Sequence, residues 1–401
     1  MNRYQGKQII VGVSGGIAAY KAVELLRLLV KAGADVHVIM TDAAREFVTP
    51  LTFQTLSGNP VHTDLFNLVQ ERDIGHISLA DRADLLMVAP ATANLIGKVA
   101  NGLADDLLTT TIMATRAPVL FVPAMNSNMW ANPLYQQNQA RLVEFGYHFM
   151  SPVHGDLACG WQGTGKMPEP ADIFDFASPL LGDQLLAGKT VLVTAGPTRE
   201  EIDPVRYLSN YSSGKMGYAI ARAARDHGAR VILVSGPVQI AAPQRVETIH
   251  VDCAMEMRQA VLQNADQTDI IIKAAAVADF RPQNPSAQKI KKSGSSEVRL
   301  DLELNPDILA ELGDRKRSGQ LLVGFAAESS NLVEQARKKL SKGLDLIVAN
   351  DITEAGAGFD IDTNIVRLLF QDGRIEELPE MPKTQIAEIL IQRILDLGRL
   401  T

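Results

Sequence analysis

Ile9-Ile10-Val11-Gly12-Val13-Ser14-Gly15-Gly16-Ile17 is an apolar run that ends in a Ser-Gly-Gly turn. Such a run reads as a strand buried on both faces, the kind found in parallel sheets. Ile17, Tyr20, Leu25, Leu28 and Leu29 then recur near helical spacing, and Val36 to Met40 is a second buried-type run after Gly33. Strand, glycine turn, helix and strand make a βαβ unit. Further runs at Leu85 to Ala89 and Val119 to Val122, with helical stretches between, extend it into a doubly wound layer. Near residue 180 the pattern restarts. Pro179, Gly182 and Gly188 punctuate a connector, Thr190-Val191-Leu192-Val193-Thr194 leads into Ala195-Gly196-Pro197, and after a long insertion a helix from about Gly217 to His227 feeds Arg230 to Val234. The unit endings match, Ala32-Gly33-Ala34-Asp35-Val36 against His227-Gly228-Ala229-Arg230-Val231. Buried-type runs follow at Asp269 to Ile272, Leu321 to Gly324 and Leu346 to Val348, and Thr384 to Leu397 has an amphipathic helical pattern. The expectation is an α/β protein of two Rossmann-like doubly wound domains, residues 1–188 and 189–401.

Length and composition agree. At ~150 residues per domain, 401 residues hold two to three domains. Hydrophobic residues are 46% and charged residues 21%, ordinary globular usage, so most of the chain is expected to fold. Acidic residues exceed basic ones by 46 − 39 = 7, which leaves no overall positive field for nucleic acid. Two cysteines, Cys159 and Cys253, make no disulfide framework and point to a reducing compartment. The apolar runs reach strand length only, short of the ~20 residues that span a bilayer. The polar start from Met1 to Lys7 has no signal-peptide pattern, so a cytoplasmic protein without a membrane partner is expected.

In the first half the Ser14-Gly15-Gly16 turn reads either as a phosphate cradle at a helix N-terminus or as a tight turn. It lacks the full G-x-G-x-x-G dinucleotide spacing. A second polar cluster, Pro90-Ala91-Thr92-Ala93-Asn94-Leu95-Ile96-Gly97-Lys98, presents hydroxyl, amide and ammonium groups after another strand, where doubly wound sheets bind ligands. Asn126, in Pro123-Ala124-Met125-Asn126, is a carboxylate holder or a turn residue. His76 precedes a helix start and is structural or a proton carrier. Cys159 lies in the glycine-rich Ala158-Cys159-Gly160-Trp161-Gln162-Gly163-Thr164-Gly165-Lys166, as a flap nucleophile or proton donor or as an inert thiol. Neither a CxxC nor an H-x₃-H arrangement suggests a metal site.

Taken together and in order, these motifs resemble the flavin-dependent cysteine decarboxylases, specifically the phosphopantothenoylcysteine decarboxylases. The resemblance implies a flavodoxin-like flavoprotein domain with FMN held by Ser14, Gly15, Gly16, Ile17, Thr41, Thr92, Asn94 and Lys98. It makes His76 a residue of the oxidative decarboxylation, Asn126 the clamp on the substrate carboxylate and Cys159 the donor of the final proton. Trp161 and Lys166 depart from the family pattern around that cysteine.

In the second half Arg206 and Asn210 stand in a donor-rich loop, Pro204 to Gly217, that reads as an anion cradle or a polar loop with a helix cap. Lys273-Ala274-Ala275-Ala276-Val277-Ala278-Asp279-Phe280 runs from strand to polar turn. Lys289-Ile290-Lys291-Lys292 is a solvated charge run or a triphosphate-closing loop, and Asn305-Pro306-Asp307-Ile308-Leu309 caps a helix. With Ser212-Ser213-Gly214-Lys215-Met216-Gly217 and Gly324-Phe325-Ala326-Ala327-Glu328, this set is similar to bacterial, CTP-using phosphopantothenate–cysteine ligases. In that family the carboxylate of 4′-phosphopantothenate attacks CTP, pyrophosphate leaves, and the amine of cysteine displaces CMP from the acyl-cytidylate. The resemblance gives Asn210 the acyl-cytidylate carbonyl, with Arg206 in the same loop, and Lys289 the closing loop. It places CTP against Ala275, Asp279, Lys289, Pro306, Asp307, Ile308, Leu309, Phe325, Lys339 and Lys342, with Mg²⁺ at Asp279. The basic helix is one residue shorter than the family spacing, leaving Lys338 and Lys339 as alternatives.

The order of the halves is that of the fused bacterial enzymes of coenzyme A biosynthesis, which implies a homo-oligomer of trimeric decarboxylase and dimeric ligase domains, a dodecamer. The alternatives are a flavin-binding regulatory or scaffold protein and a pair of NAD-dependent oxidoreductase domains. His76, Asn126 and Cys159 together weigh against the first, and the glycine spacing against the second.

Overall fold

The computed structural model describes residues 3–65, 75–158, 160–291, 299–328, 332–351, 358 and 360–400. The chain divides into two compact units, Asn2–Gly182 and Asp183–Thr401. The break falls within the connector read from the sequence, a few residues before 188, because Leu186 is buried in the core of the second unit and its N–H donates to the His227 carbonyl.

In the first unit the strands β1 (Gln8–Val13), β2 (Asp35–Met40), β3 (Val61–His62), β4 (Leu85–Ala91), β5 (Val119–Pro123) and β6 (His148–Phe149) form a parallel sheet of order β3-β2-β1-β4-β5-β6. The doubly wound class expected from the sequence is present. Within it the order is the Rossmann one rather than the flavodoxin order, since periodicity reads strands but not their lateral placement. Between and after these strands run the helices α1 (Ala19–Lys31), α2 (Gly75–Arg82), α3 (Ala93–Ala100), α4 (Leu107–Ala114), α5 (Pro133–Glu144) and α6 (Pro170–Ala177). Helices α1 and α6 cover one face through Leu25, Leu26, Leu29, Ile173 and Ala177; α3, α4 and α5 cover the other through Leu95, Ile96, Leu108, Ile112 and Leu142.

In the second unit the main strands are β7 (Thr190–Ala195), β8 (Arg230–Ser235), β9 (Glu247–His250), β10 (Ile270–Lys273), β11 (Leu321–Glu328), β12 (Leu346–Asp351), β13 (Thr363–Phe370) and β14 (Ile375–Pro382), ordered β9-β8-β7-β10-β11-β12-β13-β14. The first six are parallel and the last two antiparallel. The antiparallel pair was not expected from the sequence. Helices α7 (Lys215–Asp226) and α11 (Lys383–Leu400) cover one face, while α8 (Ala254–Ala265), α9 (Ile308–Arg315) and α10 (Leu332–Leu340) cover the other. Short antiparallel ribbons flank the sheets at Val153–Asp156 with Gln162–Lys166, Glu200–Asp203 with Arg206–Leu208, and Phe280–Pro282 with Leu302–Leu304.

The start of α7 lies so close to β7 that a Cβ on Gly217 would stand 2.5 Å from the Ala195 Cβ and 2.9 Å from the Thr194 carbonyl oxygen. Gly217→Ala is therefore expected to destabilise the Asp183–Thr401 unit by about 1–3 kcal/mol. Denaturant titration checks this, and an unmoved midpoint for that unit would contradict the packing.

Candidate functional sites

In the first unit the crevice lies at the carboxyl ends of β1 and β4, where the strand order reverses. Ser14 is buried there. Its Oγ donates to the Pro90 carbonyl at 2.8 Å and accepts from the Thr92 N–H at 3.0 Å, joining the two loops that leave the crevice. A Cβ on Gly15 would meet the Ala43 Cβ at 2.4 Å, so the turn can lie against the short helix Asp42–Arg45 after β2 only without a side chain. Gly16 faces open space, with Thr92 Cγ2 at 3.8 Å as its near contact, and α1 starts with no side-chain cap. Open space before an uncapped helix N-terminus suits the phosphate of a flavin mononucleotide.

The other expected flavin residues occupy mixed positions. Thr92 caps α3 and Thr41 caps the short helix Asp42–Arg45. Ile17 and Asn94 are exposed. Lys98 is paired with Asp105 at 2.8 Å and Asp106 at 3.4 Å, and the hydrogen bond to Asp105 raises its pKa. Asn126 caps the helix Ser127–Trp130 through Oδ1, which accepts from the Asn128 N–H at 2.9 Å. The Gln162–Lys166 strand lies on this loop: Met125 N–H donates to the Gly165 carbonyl, and a Cβ on Gly163 would meet Ser127 Oγ at 2.7 Å. The glycine-rich flap expected around Cys159 is thus in part an ordered ribbon, with Trp161 half-exposed beside it and Lys166 at its end. Cys159 lies outside the described residues. His76 lies within the first turn of α2 rather than before it, and its side chain is outside the described set.

In the second unit a cavity of about 510 Å³ opens at the carboxyl edge of the sheet. It is lined by Ala275, Asp279, Pro306, Asp307, Ile308, Leu309, Phe325, Lys339 and Lys342, which is the whole expected nucleotide set except Lys289. Lys339, not Lys338, faces it; Lys338 pairs with Glu334 at 3.1 Å. Long-range hydrogen bonds hold the Ala275–Ala278 wall. Thr194 Oγ1 accepts from the Ala275 N–H and Thr198 Oγ1 from the Ala278 N–H, each at 3.0 Å. Asn210 Nδ2 donates to the Ala276 carbonyl while Oδ1 accepts from the Ser212 N–H at 3.1 Å, so Asn210 stands against two lining residues. Asn305 joins the α9 cap to the same wall by donating to the Ala278 carbonyl at 2.9 Å.

Arg206 and Lys289 do not line the cavity. The Arg206 guanidinium is held by buried Asp203 and donates to the Ile290 carbonyl at 2.9 Å, while Asp203 accepts from the Ile290 N–H at 3.0 Å. Arg206 therefore anchors the segment that carries exposed Lys289, and the guanidinium holds the Asp203 carboxyl well below the usual range. Lys292, the end of the basic run, lies outside the described residues.

The cavity is also lined by residues to which no role was assigned from the motifs: Lys215, Lys273, Asn350, Asn364 and Lys383. Lys273 closes the otherwise apolar strand β10, and a lysine directly after three isoleucines is the one local signal that could have marked it. Burial pushes its ammonium down to about 8; Asp307 and Asp279 act upward, Lys339 and Lys342 downward. Lys342 and Asp307 are paired at 2.6 Å. Among the described residues no group of three or more His, Cys, Asp or Glu stands ready to hold a metal. One or two carboxylates suffice where a nucleotide supplies the other oxygens to Mg²⁺, and Asp279 fits that role. No described helix is long and apolar enough to cross a membrane.

Comparison with known proteins bears on both sites. Residues 2–182 match the Flavoprotein family model, and residues 186–397 match that of the DNA/pantothenate metabolism flavoprotein C-terminal domain. The chain is 51% identical to the coenzyme A biosynthesis bifunctional protein CoaBC of Bacillus subtilis, covering 98% of each chain. It is 46% identical to the protein of that name from Escherichia coli K12, covering 97% of each. A solved structure of the C-terminal domain of a CoaBC protein, 43% identical, covers 55% of this chain and all of that one with a TM-score of 0.47. The chain belongs to the family of bifunctional coenzyme A biosynthesis proteins, with a flavoprotein domain as its N-terminal half.

Proposed function

We propose that the chain makes 4′-phosphopantetheine in two steps, ligating cysteine to 4′-phosphopantothenate with CTP and then decarboxylating the 4′-phosphopantothenoylcysteine. The observation that carries the ligase reading is the convergence of nine of the ten expected nucleotide residues on one cavity, although they come from four separate segments. Attack of the substrate carboxylate on the α-phosphate of CTP forms the acyl-cytidylate and expels pyrophosphate. Lys339 and Lys342 offset the charge on the phosphates, Asp279 helps hold Mg²⁺, and Asn210 orients the acyl carbonyl beside Ala276. The amine of cysteine then attacks that carbonyl and CMP leaves. Lys289 closes over the site from the segment that Arg206 anchors.

For the decarboxylase the support is the Ser14–Thr92 connection, the space at Gly16 and the uncapped start of α1, which fit FMN. Bound FMN supplies the two-electron oxidation of the substrate thiol and its reversal. Asn126 holds the carboxylate that leaves as carbon dioxide, His76 serves the oxidative decarboxylation, and Cys159 gives the last proton. The same reading includes a cytoplasmic homo-oligomer, to which the exposed side chains of Tyr207, Tyr211 and Leu304 are suited.

Supplying phosphopantothenate, cysteine, CTP and Mg²⁺ to flavin-loaded protein should yield CMP, pyrophosphate and 4′-phosphopantetheine by mass spectrometry. Asn210→Asp is expected to lower amide formation at least about a hundredfold while leaving decarboxylation of added phosphopantothenoylcysteine intact. Equal ligase rates would remove Asn210 from the mechanism. Cys159→Ser should still release carbon dioxide but stop before the reduced product; full product would overturn the proton-donor role.

The low pKa of Lys273 gives a pH signature. Its ammonium is charged below about 8 and neutral above, so an anion bound by the charged form loses affinity as pH rises. Calorimetry should show CTP affinity falling about eightfold from pH 7.5 to 9, a fall that Lys273→Met abolishes. A flat wild-type profile would contradict the assignment.

A further inference from the structure

Asp203-Pro204-Val205-Arg206 closes the ribbon of Glu200–Asp203 with Arg206–Leu208 through a two-residue turn. Aspartate before proline favours such a turn, because proline presets φ and the carboxylate accepts an N–H two residues on. Asp203 Oδ1 does so, accepting from the Val205 N–H at 2.9 Å. The other oxygen reaches much further along the chain. Oδ2 accepts from the Arg206 Nε–H at 3.0 Å and, 87 residues beyond, from the Ile290 N–H at 3.0 Å. The guanidinium in turn donates to the Ile290 carbonyl at 2.9 Å, so one ion pair holds both backbone groups of Ile290. The Asp203 side chain is wholly buried and that of Arg206 half-exposed. A buried carboxylate persists only where charge and hydrogen bonds offset its lost hydration. Here the Arg206 bond first, and the Val205 and Ile290 N–H groups after it, hold the carboxyl well below the usual range.

This clasp is itself fixed to the wall of the ligase cavity. The Ser286 N–H donates to the Ile202 carbonyl at 2.9 Å, a second stitch between the segment and the ribbon. Beyond Leu208 the chain is tied down twice. Ser209 Oγ donates to the Thr198 carbonyl at 2.7 Å, and Asn210 Nδ2 donates to the carbonyl of Ala276, which lines the cavity. The ribbon also packs on the strand Phe280–Pro282, which directly follows Asp279. A short run of bonds thus connects Ile290 with the cavity wall. Lys289, its neighbour in the chain, is exposed and does not line the cavity, yet its attachment point is set relative to that wall.

We propose that Asp203 is the positioning residue for Lys289, fixing the point from which that ammonium reaches the acyl-cytidylate site; the inference rests on the ligase reading above. Asp203 touches no reactant and acts only through the segment it clasps. Asparagine at 203 has the same size but offers one oxygen where the carboxylate uses two, so an N–H meets an N–H at Val205 or Ile290, and the ion pair is lost. Arg206 is exposed enough to remain solvated after that change, and the residues that line the cavity are untouched.

The rate of pyrophosphate release by the full-length protein from CTP, Mg²⁺ and phosphopantothenate tests this. Asp203→Asn is expected to lower it about tenfold to a hundredfold and to leave the calorimetric Kd for CTP within about twofold, since it displaces a reacting group without touching the nucleotide. In a Lys289→Gln background the same substitution should add almost nothing, because the two residues act as one unit. A full loss in both backgrounds, a weaker Kd for CTP, or an unchanged or faster rate would overturn the assignment. Ile290→Pro deletes the single N–H that Asp203 accepts from this segment, and it should repeat these results if Asp203→Asn does not fold. If the wild-type protein releases no pyrophosphate, the ligase reading fails, and hydrogen exchange still decides the clasp. The amides of residues 286–290 should exchange faster in Asp203→Asn than in the wild type, and equal exchange overturns it.

Discussion

In the second unit β7 pairs in parallel with β8 on one side and β10 on the other. The chain therefore leaves β7 in one direction across the sheet and returns in the opposite one, and the loops that follow β7 and β10 part at their carboxyl ends. The cavity of this unit opens at that gap, with residues of both loops in its lining. The same reversal at β1 and β4 makes the crevice of the first unit, where Ser14 joins the two loops. Each site is thus a product of strand order first and of side chains second.

What keeps the gap shaped is a set of polar groups bonded across long stretches of sequence. Thr194, Thr198 and Asn210 each bind a backbone group of the Ala275–Ala278 segment, and Asn305 ties that segment to the cap of α9. Thr194 and Thr198 are fully buried, and buried polar groups are expensive if left unpaired, so they fix one conformation of the wall more firmly than apolar packing alone would. Against that wall burial lowers the pKa of Lys273, while Asp307 and Asp279 act upward and Lys339 and Lys342 downward.

Much of this was legible in the sequence. The apolar runs marked the central strands because parallel strands are buried on both faces, and the glycine turns marked where the chain must pass close to itself, as Gly15 does against Ala43. The residues expected at the nucleotide were picked out through motif resemblance, and nine of those ten share a cavity. What escaped depends on topology. Asn350, Asn364 and Lys383 belong to three elements that meet only once the sheet is ordered, and none carries a local signature, while Lys215 stands in a quoted motif but was assigned no role. The β13–β14 pair escaped because its outer strand alternates around acidic residues, Glu376, Glu377 and Glu380, and shows no buried run. Arg206 was expected as an anion ligand from its donor-rich loop; the competing buried Asp203, three residues away, claims it.

Activation of a carboxylate by nucleotidyl transfer is the role proposed for the cavity. The most direct measurement omits cysteine: protein, CTP, Mg²⁺ and 4′-phosphopantothenate are mixed for a single turnover, and the phosphorus products are separated. The expected result is a burst of pyrophosphate that requires phosphopantothenate, approaching one per chain, with the cytidylate retained on the protein. Release of CDP and an acyl phosphate, or pyrophosphate formed without the acyl substrate, would contradict it.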